Sequence, residues 1–565
     1  MNWFLVIVGK RSRPSQLACG YHMTRGVGAV SCRSRIALWQ LGCSWLALTL
    51  VAGCFESPPV GVTEKKHVQE PVPTDPPKSP ALVRSSTSAP SLWRDGPTTP
   101  EGISPGARPR VVLISAAWCQ WCRVLEHEVL PDQRVITEIE RGFESLHVDL
   151  DAAPLWADIP GFKGLPTLAF FDAGGRHVLT RSGFRSAPEL VDLFRALSSR
   201  LERDELEPYE PPRRVRLPSA GISAEDAKRL LDRLELAVFL KVNSNDGGFN
   251  SPARHPYPAL LVELERWRQH GAPARVDGWI QKTLDGARRG GSPRLKGTPL
   301  ADMDFSADEL VGLSRAGADA ARWREGIERL PDADPYLGLQ DSVDRGFFRY
   351  CAGPGWYHPH FERRAIENLA WSELLRLRGE PDEARAVLNF VETTFEQGAA
   401  LATSQRSDPF YYRLSAEERK ALPGPVVDPL WRLDVQSMAA LVDGSRCRAL
   451  APVPTDKWPR ALWDRAGAEL SSAAEAPVDA VGLLLSALAS CSELSERGRE
   501  LSELVVERWS GEGFVESPRL FLLSRGICEN SRQHCARALA ALTDIPIDLD
   551  YPPPFALLSR ETAAE

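Results

Sequence analysis

Residues 116–124 read AAWCQWCRV, and how this stretch is taken decides the fold of the first part of the chain. Two cysteines separated by two residues can bind a metal, form a structural bridge or exchange disulfides. The flanks narrow the choice. RVVLISAA (110–117) is a short apolar run suited to a buried strand, and Cys119 to Val129 follow as a helix with Val124, Leu125 and Val129 on one face. A cysteine pair that opens a helix straight after a buried strand is the setting of redox chemistry. There the free backbone N–H groups and the helix dipole favour the thiolate of Cys119, the attacking form. Cys122, one turn later, is placed to resolve a mixed disulfide. A metal clip needs two further ligands, and His127, His147 and His177 stand at no recognisable metal spacing, so no metal is expected. A purely structural disulfide stays open.

Around this pair, FESLHVDLD (143–151) reads as a strand and LPTLAFFDAGGRHVLT (165–180) as two strands about an Ala-Gly-Gly turn. SAPELVDLFRALSSRL (186–201) reads as a closing helix with Ser186 as N-cap. This order predicts an α/β domain with a small central sheet flanked by helices, over residues 106–202. Trp118-Cys119-x-x-Cys122 after a strand, then Gly164-Leu165-Pro166-Thr167 before the next, resembles the thioredoxin fold. The resemblance implies that Pro166 is cis, abuts the cysteine pair and presents partner backbone. General reductases of that fold carry a buried Asp six residues before the first cysteine, where this chain has Leu113. Gln120-Trp121 replaces their Gly-Pro, so an exposed Trp121 is expected to select partners.

The chain has 565 residues, too many for one ordinary core at roughly 100–200 residues per domain. An apolar share of 43%, a charged share of 25% and a net charge of −7 are those of a globular protein with no electrostatic reason to bind nucleic acid. Residues 1–53 read as an export signal: Arg33 and Arg35, an apolar run from Ile36 to Val51, then Val51-Ala52-Gly53-Cys54 and a polar, Pro-containing stretch. An uncleaved membrane helix is the alternative, and a translation start at Met23 would bring the signal to the true N-terminus. The stretch resembles a bacterial lipoprotein signal, which implies lipidation at Cys54 and a periplasm-facing anchor, in the outer membrane since Phe55 follows. That compartment is oxidising. Residues 54–105, rich in Pro, Ser and Thr, read as a tether.

A linker (203–222, containing LEPYEPPRRVRLP) leads to residues 223–550, where helical periodicity recurs in eight segments from SAEDAKRLLDRLELAVFLKV to RELSELVVERW. Repeated helix hairpins without a fixed short period predict an all-α toroid, followed by a tail (551–565).

Asp246-Gly247-Gly248-Phe249, GFFRYCAGPGWYHPHFERRAIENLA (346–370) and SQRSDPFYY (404–412), together with the Trp-Cys-x-Trp-Cys core, resemble the YyaL or spermatogenesis-associated protein 20 family. The family implies a thioredoxin-like domain joined to a six-hairpin (α/α) barrel similar to sugar epimerases and glycosidases. This chain is a divergent case: WCHWCH becomes WCQWCR, Arg254 stands at a lysine, Glu367 at an aspartate, and Ser292–Gln340 looks like an insertion. Read without the family, the aromatic and ionisable cluster still offers Asp246, Asp344, His360 and Glu362 as acid–base candidates, with Arg349, Asn368 and Asp408 beside them. Buried ion pairs holding the inner helices explain the same residues equally well. Cys351, Cys447, Cys491, Cys528 and Cys535 are odd in number. The family implies a Cys528–Cys535 pair; on one continuous helix these would lie ~10 Å apart, so a bridge predicts a break there.

The expected function is thiol–disulfide exchange with protein thiols or disulfides through Cys119 and Cys122, supported by Trp118, Trp121 and Pro166, without a cofactor. The toroid is expected to hold a carbohydrate-like ligand. The alternatives are a sugar epimerase or glycosidase in the toroid, or a non-enzymatic envelope scaffold.

Overall fold

The computed structural model describes residues 92–562, apart from 211–212, 250–252, 289–337, 352–354, 357–358, 399, 409–410 and 464–473. The export signal, the Met23 start, lipidation at Cys54, the tether up to residue 91, the insertion up to residue 337, and Tyr357 and His358 lie outside these residues.

In the strand β2 (Arg110–Ser115), Val111 and Leu113 face one side of the sheet and Val112 and Ile114 the other. A strand apolar on both faces belongs inside a sheet covered on both. β2 accordingly lies at the centre of the order β1-β3-β2-β4-β5, with β1 at Arg94–Asp95, β3 at Glu144–Asp149, β4 at Thr167–Phe171 and β5 at His177–Ser182. β1 and β2 run parallel to β3, and β4 runs antiparallel to both β2 and β5. The register sets Leu113 opposite His147 and Ser115 opposite Asp149. β1 comes from the stretch read as tether, which lacks any apolar alternation of its own.

One face is covered by α1 (Gln120–Val124), α2 (Gln133–Gly142) and α3 (Ala187–Glu202), which enclose Leu125, Val129, Ile139 and Phe194. The other is covered by a 3-10 turn, Pro154–Asp158, around Trp156. The helix expected from Cys119 to Val129 is not uniform. Cys119 is its N-cap, and after Val124 it widens into a π turn, Leu125–Val129. α3 starts at Ser186, where the Ser186 backbone N–H and hydroxyl both donate to Glu189 in a capping box.

The stretch read as a linker is pinned to the second half: Arg214–Val215 pairs antiparallel with Phe514–Val515, and the Leu217 N–H donates to the Trp509 carbonyl. The second half is a ring of helices. Its inner members are α5 (Pro258–Arg268), α7 (Ala365–Leu377), α9 (Leu433–Val442), α10 (Val478–Ser490), α12 (Leu520–Asn530) and α14 (Phe555–Thr562). α5 packs on α7, α7 on α9, α9 on α10 and α10 on α12, while α14 packs back on α5. Outside lie α4 (Ala224–Lys241) on α13 (Arg532–Ala540) and α14, α6 (Ala274–Arg288) on α5, and α8 (Pro381–Phe395) on α7; α11 (Ser495–Gly511) backs α10 and α12. Behind α9 the outer element is a 3-10 turn, Gly444–Leu450. The chain is thus an α/β thioredoxin-like domain followed by an all-α toroid of the six-hairpin type.

α14 arises within the stretch read as a tail; its Phe555 is buried and stacks on Trp267 with centroids 4.9 Å apart. The break between α12 and α13 falls at Ser531, and it brings Cys528 and Cys535 to a Cα separation of 4.3 Å in a disulfide. A second disulfide, Cys447–Cys491, ties the 3-10 turn behind α9 to the end of α10, and Cys351 is buried and unbridged.

Candidate functional site at the contact between sheet and toroid

β2 ends at Ser115 and delivers Trp118, Cys119 and Cys122 to the edge of the sheet that faces the toroid. Cys119 and Cys122 form a disulfide with a Cα separation of 5.3 Å. Cys119 caps α1: its Sγ accepts a hydrogen bond from the Cys122 backbone N–H at 3.1 Å. The Leu165–Pro166 bond is cis, and Leu165 packs against Trp118 and the cysteine pair. The pair is well covered, Cys119 being 4% and Cys122 1% exposed. Trp121 is half-buried and lies against Phe184, ring centroids 5.2 Å apart, so the indole expected to stand free is seated on its own domain.

Trp118 joins this centre to the second half of the chain. Its Nε1 donates to Asp151 Oδ2 at 2.9 Å, and Asp151 in turn pairs with Arg432 at the head of α9. The guanidinium groups of Arg349 and Arg364 lie over its ring at 4.7 and 5.4 Å. A further tie runs from Arg519 to Asp158 at 2.6 Å and to Asp479 at 2.7 Å. Behind the pair, burial and then Arg406 lower the Arg123 guanidinium to about 10, against the opposing pull of Glu362, Glu126 and Asp408. Asp149, at the end of β3, is pushed up to about 7 by burial and then by Asp151.

The toroid candidates divide by what they touch. Asp344 receives both ends of the buried Arg363 guanidinium at 2.7 and 2.8 Å, and Arg363 also lies over Tyr412 and Phe390. Asn368 bonds the backbone of Phe347 through both its amide atoms. Asp246 pairs with Arg254 at 3.3 Å beside the Gly247-Gly248 turn, where a Cβ on Gly247 would meet the backbone of Lys282 at 2.3 Å. Asp408 accepts the Tyr411 N–H at 3.0 Å. These four hold loops and helix ends. Glu362 is buried, 3.2 Å from Arg349 and 3.9 Å from His360. His360, Tyr350, His255 and Tyr257 form a column of stacked rings with successive centroids 4.3, 4.3 and 5.3 Å apart. Burial, then Arg349 and His360, lower His255 to about 3, so the column is neutral at that ring.

A cavity of about 310 Å³ opens where the ring meets the first domain, with Leu150, Pro154 and Phe162 on one wall and the inner helices on the other. Of the toroid candidates, only Arg349 is in its lining. The same wall holds Glu367, noted in the sequence only as standing at an aspartate, and residues not singled out there: Arg364, Arg432 and Asp434, and Asp479 with Arg519. Glu367, Asp434 and Asp479 lie in the first turns of α7, α9 and α10, where a carboxylate is favoured by the helix dipole. The signal is an acidic first turn repeated on successive inner helices, and it emerges only once those helices are placed side by side. Among the described residues no group of three or more His, Cys, Asp or Glu is arranged to hold a metal ion. A separate cleft of about 410 Å³, lined by Arg108, Arg141, Asp172 and Ser198, lies by the start of β2, at the far end of that strand from the cysteines.

No family model matches the chain, and no curated protein matches it. Among solved structures it is similar to a mutant thioredoxin from Halobacterium salinarum NRC-1, at 25% identity over 20% of this chain and 96% of that one, with a TM-score of 0.16. It is also similar to a sugar epimerase from a ruminal bacterium, at 8% identity over 60% of this chain and 97% of that one, TM-score 0.35. A third is the GH76A alpha-1,6-mannanase from Salegentibacter sp. HEL1_6, at 10% identity over 57% and 99%, TM-score 0.23.

Proposed function

We propose that this chain is an exported thiol–disulfide exchange protein, tethered to a membrane through Cys54, in which Cys119 reacts with thiols or disulfides of other proteins and Cys122 resolves the product. The observation that carries the reading is the hydrogen bond from the Cys122 N–H to Cys119 Sγ at the head of α1. On reduction the same amide and the helix dipole favour a thiolate at Cys119. Because Cys119 is 4% exposed, the partner protein presents its thiol or disulfide on an extended segment rather than on a folded surface. In a Cys122→Ser variant, the mixed disulfide formed with envelope extract should be trapped and identified by mass spectrometry. An extract that yields none removes the reading. Labelling with a radioactive fatty acid, lost in Cys54→Ser, tests the anchor.

The cavity of about 310 Å³ favours a second role, holding a carbohydrate-like ligand, since its walls offer paired charges and the rings of Tyr257 and Tyr551. Sugar chemistry through Glu362 is less favoured, because that carboxylate is committed to Arg349 and absent from the lining. A glycan panel assayed for binding and turnover with wild-type protein and Glu362→Gln separates holding from catalysis.

A further inference from the structure

Resolution of a mixed disulfide needs Cys122 as a thiolate, yet Cys122 is 1% exposed and burial in apolar surroundings holds a thiol protonated. A group within the fold must take that proton. On the sheet beneath α1 the side chain of Leu113 fills the apolar core and offers no acceptor. Its register partner His147 lies on the same face of the sheet. There His147 Nε2 is 2.7 Å from Ser115 Oγ and 3.7 Å from Glu126 Oε1. Glu126 stands in the π turn that extends α1, four residues after Cys122. Its side chain is 30% exposed, but its Oε1 is buried and accepts no hydrogen bond from any donor among the described residues.

A buried carboxylate oxygen without a donor is unfavourable, so its place calls for an explanation. Side chains on a helix lean back over the preceding turn, and residues four apart share a face. Glu126 therefore leans back towards Cys122, one turn before it, rather than towards Cys119 at the helix start. In the disulfide, Cys122 has no S–H to offer. Reduction creates one.

We propose that Glu126 takes the Cys122 thiol proton during resolution; this rests on the exchange reading above. In the step, the Cys122 S–H proton passes to Glu126 directly or through one water, and Cys122 Sγ attacks Cys119 Sγ. The bond from Cys119 to the reactant sulfur breaks, and the reactant leaves as a thiolate that takes a proton from solvent. The cysteine pair loses two electrons and the reactant disulfide gains them. Glu126 returns its proton to solvent through its exposed edge.

The test uses the full chain, reduced and then mixed with oxidised glutathione, with acid quench and mass spectrometry to follow the glutathione mixed disulfide. In wild type it should rise and decay. In Glu126→Gln it should form within about twofold of the wild-type rate and decay about 100-fold more slowly, the usual scale of a lost proton-transfer group. Glu126→Asp should recover part of the decay rate. Equal decay in wild type and Glu126→Gln overturns the assignment, as does equal slowing of both steps, which marks Glu126 as a structural support of the helix. A wild-type protein that forms no mixed disulfide overturns the exchange reading, and this one with it.

Discussion

The Arg349 guanidinium lies 4.7 Å over the Trp118 ring and pairs with the buried Glu362 at 3.2 Å. Arg349, together with Arg364 at 5.4 Å, thus holds the indole next to Cys119. Arg349→Ala removes a cation–π contact and leaves Glu362 without its main partner, and we expect a loss of about 3 kcal/mol in urea unfolding. Reduction of the Cys119–Cys122 disulfide by dithiothreitol should become several-fold faster. Arg349→Lys should restore the stability only in part, because an ammonium cannot lie flat on the ring.

Asp344 carries a different expectation. It neutralises Arg363, which is buried, and Asp341 beside it receives Arg419. Asp344→Asn should cost about 3 kcal/mol of stability, and leave the rate of thiol exchange unchanged. A variant as stable as wild type that loses turnover on a glycan would return Asp344 to the acid–base role.

The two bridges in the toroid differ in the chain they close. Cys447–Cys491 spans 44 residues and Cys528–Cys535 spans 7. Loop-closure entropy assigns them about 4 and about 2.5 kcal/mol. Double serine variants of each pair should lower the denaturation midpoint in that order, and a reversal would show that the short bridge also props open the break at Ser531.

Asp149 gives a pH signature. Its pKa is raised to about 7 in the folded chain, above about 3.9 in the unfolded one, so the folded state binds the extra proton between those values. Stability from this group is present below about pH 4 and falls as pH rises towards 7. Asp149→Asn keeps the acceptor for the Asp151 N–H, and should be neutral at pH 4 and stabilising by about 2 kcal/mol at pH 8. Unfolding curves across that range check the sign.

The strands and most helices were legible because each carries a periodic apolar face, as Val111 to Ile114 and α7 do. α12, α13 and α14 were not, since the first two are short and broken at Ser531, and Phe555 follows three prolines that suggest an end. The strand at Arg94–Asp95 has no pattern at all and exists through its backbone pairing with β3. The cysteine pair could be placed from sequence because its spacing is local, and Pro166 because Gly164-Leu165-Pro166-Thr167 resembles the thioredoxin pattern. The cavity wall could not, because Arg364, Asp434 and Asp479 become neighbours only when α7, α9 and α10 are packed together. Asp344 and Asn368, picked out for their chemistry, turned out to hold loops in place, as buried polar groups in a toroid often must.

The way α14 and its neighbours return to α4 has a consequence for how the molecule is made. Arg233 on α4 donates to the carbonyl of Leu542 at 3.2 Å, 309 residues further along the chain. α4 is translated early, meets α6 soon after through Glu235 and Arg275, and meets α13 and α14 only late. Contacts so distant in sequence raise contact order and slow folding, and until they form the part of α4 that packs on α14 is open to solvent. A nascent chain therefore holds its sheet domain and a string of unclosed hairpins, a form prone to aggregate.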